Sequence, residues 1–434
     1  MTHFGIICPP VAGHLNPMLS LGKELIKRGH RVTLFGILDA KSKTVAAELE
    51  FQIIGKEKFL AGAVAKFFTQ QRQATGLAAF RYTTINLLTQ LAAVMLREAP
   101  GLIKAAGVEA LLVDQCSWEG GTIADLLGIP FVTICNALML NIEAGVPPAF
   151  TLWKYNPAWW ARLRNQVVYM LPNPFTKPIQ DLIYRYRQEC KLTPYSGLND
   201  AFSQLAQLSQ TPAEFEFPRK ELPPWFHFTG PYDSSASWKR IPFPYEKLTG
   251  KPLIYAAMGT LQNHRIDIFQ KIASACEELD AQLVISLGIP DQSESLPKFA
   301  GNPLIVGYAP QLELLKKAAL GITHAGMNTA MACLSNGVPM VAIPVTDEQP
   351  GIAKRIAWAG VGEVVPLKQL SVKRLQKTVK QVLTEDFYKQ NALRLQGAVQ
   401  RSGGVNRAID IIEKAVSTGK PVLAQNYLYD AKNS

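Results

Sequence analysis

Two turns in the second half of the chain carry residues suited to holding an anion. In "AAMGT" a small apolar run ends at Gly259 and Thr260, where the glycine allows close backbone approach and the hydroxyl can donate to a phosphate oxygen. In "THAGMNT" His324 and Gly326 precede Asn328 and Thr329, the expected start of a helix. The first-turn N–H groups and their dipole favour negative charge there, and His324 can donate to the same anion. Either turn alone also reads as an ordinary strand–helix junction; two in one domain suit a diphosphate. The first half offers different chemistry. "PPVAGHLNPM" places His14 in the first strand–helix loop, and "LLVDQ" places Asp114 at the end of another strand. A histidine whose tautomer is held by a carboxylate is a minimal general base, although a loop histidine and a distant aspartate also read as structural residues. A base in one half, a diphosphate cradle in the other and no metal-ligand spacing suggest transfer to a hydroxyl from a nucleotide-activated donor. His324 and the helix dipole would take the leaving group's charge. The residue types do not name the group transferred.

These residues need strands and helices to position them. "HFGIICP" reads as a buried strand, and "PMLSLGKELIKRGH" as a helix with Met18, Leu21, Leu25 and Ile26 on one face, Pro17 near its start and Gly29 near its end. "RVTLFG", "ALLVDQ" and "PFVTICN" follow as strands, with a small helix from Glu119. From residue 252 the theme repeats in "PLIYAAMG", "QLVISLG", "PLIVGYA", "LGITHAG" and "PMVAIP". The fold class expected is α/β: two Rossmann-like domains with parallel, doubly wound sheets and a cleft between them. The boundaries read as an acceptor-binding domain over 1–230 with insertions at 57–104 and 150–192, a Pro/Ser-rich linker at 231–251, a donor-binding domain over 252–418, and a tail at 419–434.

Composition agrees. At 434 residues the chain is too long for one ordinary core, and 48% apolar with 18% charged residues leaves ample material for two. The formal charge of +11 is spread over both halves, which suits anionic ligands or an anionic membrane surface; no nucleic-acid partner is expected. Six cysteines without a CxxC pair read as reduced thiols, and the start of the chain shows no signal-peptide pattern, so a cytoplasmic protein is expected. No run approaches the length of a transmembrane helix. Residues 150–192 hold Trp153, Trp159, Trp160, Tyr155, Tyr169, Tyr184 and Tyr186 beside Arg162, Arg164, Arg185 and Arg187. That mixture suits peripheral membrane contact, an apolar-ligand pocket, or plain packing of insertion helices on the core.

The segment from "YAPQLELL" (308–315) through "DEQPGIA" (347–353) resembles the nucleotide-sugar signature of the family 1 glycosyltransferases, inverting enzymes of the two-Rossmann GT-B fold. The resemblance implies that Tyr308 stacks on uracil, Gln311 contacts the nucleoside, and Thr260, His324, Asn328 and Thr329 bind the diphosphate. It implies that Glu348 and Gln349 hold the sugar hydroxyls, and that His14 of "GHLNP" and Asp114 are the base and its orienting acid. A UDP-sugar would be the co-substrate, with no further cofactor and no metal. The fragments "HFGIICPP", "RVTLFG", "FQIIG", "LAQLSQ", "FEFPRKELP", "FHFTGP" and "DEQPGIAKRI" are similar more narrowly to the bacterial zeaxanthin glucosyltransferases. This implies transfer of a hexose, glucose from UDP-glucose, to an apolar hydroxylated acceptor, a carotenoid such as zeaxanthin. A flavonoid, polyketide or sterol acceptor is the alternative, and a UDP-sugar- or carotenoid-binding protein with weak transferase activity is another. One position departs from the family pattern: Ala332 stands four residues after Asn328, where members usually carry a ribose-binding Glu. Weaker UDP binding and less discrimination against dTDP are expected from that change.

Overall fold

A computed structural model describes residues 1–71, 77–171, 176–232, 241–260, 264–289 and 297–424. They form two compact units, each built on a parallel sheet.

The first unit holds β1 (His3–Ile7), β2 (Arg31–Gly36), β3 (Glu50–Ile53), β4 (Ala110–Asp114), β5 (Phe131–Cys135), β6 (Gln207–Ser209) and β7 (Phe226–Phe228). Their spatial order is β3-β2-β1-β4-β5-β6-β7, so the order reverses between β1 and β4. Strand alternation divides the core in two. Phe4, Ile6 and Leu112 enter one apolar cluster, while Ile7, Leu111 and Val113 enter another on the opposite face. Both faces are covered, which is why these strands read as continuous apolar runs.

The second unit holds β8 (Leu253–Ala257), β9 (Gln282–Ser286), β10 (Leu304–Val306), β11 (Ala318–Thr323), β12 (Met340–Ala342) and β13 (Gly362–Val364), in the order β10-β9-β8-β11-β12-β13. Here the reversal lies between β8 and β11, whose ends pair in register at Ala257 and Thr323. Ligands of open α/β sheets bind beyond the carboxyl ends of strands at such reversals.

Three boundaries differ from the sequence reading. The first helix spans Ala12–Lys27 rather than starting at Pro17, because the N–H groups of His14 and Leu15 both bond to the Val11 carbonyl (3.0 and 2.8 Å). An extra turn therefore carries His14, and the proline's missing N–H falls inside the helix. The helix Gly404–Thr418, expected in the second domain, packs in the first unit. Its apolar stripe of Ala408, Ile409, Ile412 and Ala415 joins the cluster of Leu21 and Leu25, and Arg28 bonds Asp410 (2.6 Å) and Glu413 (2.9 Å). Residues 149–155, expected in the first domain, belong to the second unit. The Gly351 N–H reaches the Ala149 carbonyl at 2.8 Å, and Tyr155 lies edge-on to Trp358. Residues 233–240 of the expected linker and the tail from 425 lie outside the described residues.

Candidate active site

In the first unit β1 feeds the helix that carries His14, and its neighbour β4 ends on Asp114. The His14 Nδ1–H donates to Asp114 Oδ2 at 2.8 Å. Asp114 is fully buried, so its carboxylate must find compensation within the protein. It accepts the His14 proton and an Asn136 Nδ2–H (2.7 Å) on Oδ2, and the Cys116 backbone N–H (2.8 Å) on Oδ1. A carboxylate is an acceptor, so this bond fixes the neutral tautomer with its lone pair on Nε2. The imidazole keeps 18% of its side chain exposed. The arrangement can accept a proton and then stabilise the resulting imidazolium.

Asn136 was not picked out in the sequence reading. It follows β5, whose Ile134 pairs with Asp114, so strand register alone delivers its amide to the acid. Gln210 donates to the Asn136 carbonyl and holds the turn. The field of Asp114 is felt by other groups. Burial first, and Asp114 second among the raising causes, push the buried Glu119 carboxyl up to about 8 and the Cys135 thiol well above its ordinary value. Glu119 lines an apolar crevice at the carboxyl ends of β1–β4, together with Ile37, Ile54, Leu91, Met95 and Ser117. Leu91 and Met95 come from the 57–104 insertion, which thus builds one wall of this crevice. His14, Asp114 and Cys116 also bring one ligand atom each within 4.8 Å of one another, close enough for a soft divalent cation.

In the second unit the two anticipated turns sit side by side, because β8 and β11 are neighbours. The imidazole of His324 lies between their glycines. A Cβ on Gly259 would meet its Cε1 at 2.6 Å, and one on Gly326 would meet its Nε2 at 2.4 Å. Gly259 also has φ +69°, in the left-handed region. The ring's Nδ1 is buried without a well-formed hydrogen bond. Burial pushes its pKa down to about 4, and the nearby Ala257 carbonyl offsets only part of this. At neutral pH the ring is uncharged and acts as an N–H donor. Ala325, at φ +63°, turns the chain, and its N–H bonds Thr323 Oγ1 at 3.2 Å. The helix Met327–Ser335 then begins with Gly326 as its cap and no side-chain cap bond. Amides at its first turn, where Asn328 and Thr329 sit, have no carbonyl four residues back within the helix. Thr260 is exposed just beyond Gly259.

The remaining expected donor residues are spread along the same end of the sheet. Tyr308 follows β10 with 46% of its surface exposed, an open aromatic face. Gln311 opens the helix Gln311–Leu315, and its Oε1 accepts from the Tyr255 hydroxyl at 3.4 Å. Glu348 caps the helix Gln349–Trp358 and is partly exposed. Gln349 opens that helix. It is buried, and its Oε1 accepts the N–H groups of Val345 (2.9 Å) and Thr346 (3.1 Å).

A family model described as UDP-glucoronosyl and UDP-glucosyl transferase matches residues 14–402. The chain belongs to this family. It is 32% identical over 427 residues to the zeaxanthin glucosyltransferase of Pantoea ananas, covering 98% of each chain. It is 30% identical to that of Pseudescherichia vulneris, covering 97% of this chain and 100% of the relative. Among solved structures, the glycotransferase of kitacinnamycin superposes with a TM-score of 0.72 at 19% identity, covering 96% of this chain and 99% of the other. The calicheamicin glycosyltransferase CalG4 gives 0.71 at 19%, covering 97% and 100%. The fold is GT-B, and the protein is a glycosyltransferase of the UDP-sugar-dependent family.

Within this glycosyltransferase the position of the missing acid is a core position. Ala332 is buried on the helix Met327–Ser335, and its carbonyl accepts from Asn336 Nδ2 at 2.8 Å. No acidic side chain projects from that helix. The aromatic–basic insertion also divides. Arg187 is buried against Asp125 (2.8 Å), Thr122 and the Tyr195 ring, and the Tyr186 hydroxyl bonds the Leu96 carbonyl (2.9 Å). Those two residues serve packing; the exposed aromatics lie elsewhere.

Proposed function

We propose that this glycosyltransferase moves a hexose, glucose from UDP-glucose, onto a hydroxyl of an apolar acceptor, a carotenoid such as zeaxanthin, with inversion at the anomeric carbon. The observation that carries the reading is identity of 30% or more, over nearly the whole chain, to two zeaxanthin glucosyltransferases.

In this reading His14 Nε2 takes the acceptor hydroxyl's proton as the oxygen attacks the anomeric carbon, and Asp114 orients the ring and supports its charge. The bond from that carbon to the diphosphate oxygen breaks in the same displacement, so the configuration inverts. The departing UDP carries its new charge to His324, to the helix start at Asn328 and Thr329, and to Thr260. Gly259 and Gly326 let the backbone approach. Those donors take the place of a metal ion. Tyr308 stacks on the uracil, Gln311 meets the nucleoside, and Glu348 with the Gln349 amide holds the sugar hydroxyls. We place the reaction in the cytoplasm, which six unpaired cysteines suit.

The donor preference follows from Ala332. Without a charge-assisted contact to the ribose hydroxyls, UDP affinity should fall by roughly 10- to 150-fold relative to a Glu-bearing site, about 1.5–3 kcal/mol. Titration of UDP and dTDP checks this. UDP binding more than about 100-fold tighter than dTDP would place a compensating ribose contact elsewhere.

The principal test is turnover of UDP-glucose with zeaxanthin in lipid vesicles, following UDP release and product mass. Carotenoid carrying one or two added hexoses is the expected result. UDP release without a glycosylated carotenoid moves the acceptor to another apolar alcohol, such as a flavonoid, polyketide or sterol. Bound UDP with no turnover overturns the enzymatic reading in favour of a binding protein.

A further inference from the structure

The helix Trp159–Met170 is turned inside out relative to an ordinary surface helix. Its anchored face is small and polar: Ala161 and Asn165 are buried, Asn165 Nδ2 donates to the Ala144 carbonyl (3.1 Å), and the Tyr169 hydroxyl donates to the Val146 carbonyl (3.2 Å). Its outward face carries Trp159, Trp160, Leu163, Val167 and Met170, continued by Leu171 at the C-cap, each between 48% and 75% exposed. At 3.6 residues per turn these six fall on one arc of about 120°. Single exposed apolar residues are ordinary, but a contiguous stripe of six is a surface waiting for an apolar phase.

The charges around the stripe say which phase. Arg162 and Arg164 lie at its two edges; the Arg164 guanidinium stands 5.7 Å from the Trp160 ring, and the Arg162 guanidinium, half exposed, reaches the half-exposed Glu221 at only 3.7 Å, a solvent-screened pair that a lipid phosphate can replace. The helix itself has no acid, and its cations are the two arginines beside the arc. Long cationic side chains flanking an apolar arc, with tryptophans at one end, match the headgroup and acyl layers of an anionic bilayer. We propose that this helix lies in the surface of an anionic membrane, its apolar arc in the acyl boundary and its arginines on the lipid phosphates. The inference is separate from the acceptor's identity, since docking needs no turnover.

The test is flotation of the full chain with vesicles of phosphatidylcholine alone or with about a third phosphatidylglycerol added. The wild type should float with the anionic vesicles, and its tryptophan emission should shift to the blue. The triple variant Trp159→Ser, Leu163→Ser, Met170→Ser should lose on the order of 100-fold in partitioning. These side chains point away from the core, so its melting temperature should stay close to the wild type's. The double variant Arg162→Gln, Arg164→Gln should lose roughly 25-fold on anionic vesicles and little on neutral ones, giving a second reading if the triple variant folds poorly. Absence of flotation and of the emission shift overturns the proposal, as does a folded triple variant that floats like the wild type. A concentration-dependent dimer, broken by the triple variant and indifferent to vesicles, overturns it in favour of a second copy of this chain. A catalytic failure of the carotenoid reading leaves all these readouts intact.

Discussion

The clearest prediction concerns Asp114→Asn. The side chain keeps its shape and loses its charge, in a site with three donors aimed at it: His14 Nδ1–H, Asn136 Nδ2–H and the Cys116 N–H. Two orientations of the new amide are available. With its NH2 toward Oδ2's place it opposes both His14 and Asn136; with its NH2 toward Oδ1's place it opposes only the Cys116 N–H. The second keeps the His14 bond, so the tautomer survives and the fold loses about 1–3 kcal/mol for one unpaired buried donor. What cannot survive is the negative charge facing the imidazolium that forms during transfer. Unit charges about 4 Å apart at an effective dielectric near 20 interact by about 4 kcal/mol, or about 10³-fold in rate. The expected result is kcat down by about 10³ with the UDP dissociation constant within about threefold of wild type, measured by UDP release and by calorimetry. A folded Asp114→Asn protein with kcat within tenfold of wild type would refute the base assignment, and so would parallel loss of UDP binding. His14→Ala should fall in the same range, about 10²–10⁴ in kcat, again with UDP retained.

Asn136→Ala removes one of the two donors on Asp114 Oδ2, so kcat should drop by about tenfold, and the acidic limb of the pH–rate profile should move; a purely structural role would lower the melting temperature without moving that limb. Gly259→Ala and Gly326→Ala both press a Cβ into the His324 ring, at 2.6 and 2.4 Å, and each should weaken UDP binding by about tenfold or more. Only Gly259→Ala adds left-handed strain, about 1–2 kcal/mol, so denaturant melts should separate the two. Acid should destabilise the fold through His324. With a folded pKa near 4 the native state binds fewer protons than the unfolded chain between about pH 4 and 6.5, so stability is present above that window and is lost as pH falls through it. The loss from pH 7 to 5 is about 2 kcal/mol, and His324→Gln should flatten it in urea titrations. Glu119 acts with the opposite sign: its folded pKa near 8 means that stability falls as pH rises from about 4.5 to 8. Glu119→Gln should therefore stabilise by up to about 3 kcal/mol at pH 7, with the gain shrinking toward pH 5.

The parallel sheets, the two glycine-bearing strand–helix turns and the residues of the dyad were legible from sequence because each rests on local chemistry. Apolar runs such as "FGII" and "LLVD" mark strands buried on both faces, and a glycine or histidine at a strand's end marks a junction whatever surrounds it. What stands beside what is non-local. His14 and Asp114 are 100 residues apart and meet only because β1 and β4 are neighbours. The same register brings Asn136 to the acid, and no feature of "TICN" announces it. The apolar stripe of 404–418 shows that the helix must be buried, yet only packing against Leu21 and Leu25 decides in which unit. Burial divides the aromatic–basic insertion. Arg187 and Tyr186 went to the core, and Trp159 and Met170 went to solvent. Sequence determined which side chains have the chemistry. Tertiary structure decided their partners, because strand order and face selection are settled by the whole core at once and not by any single segment.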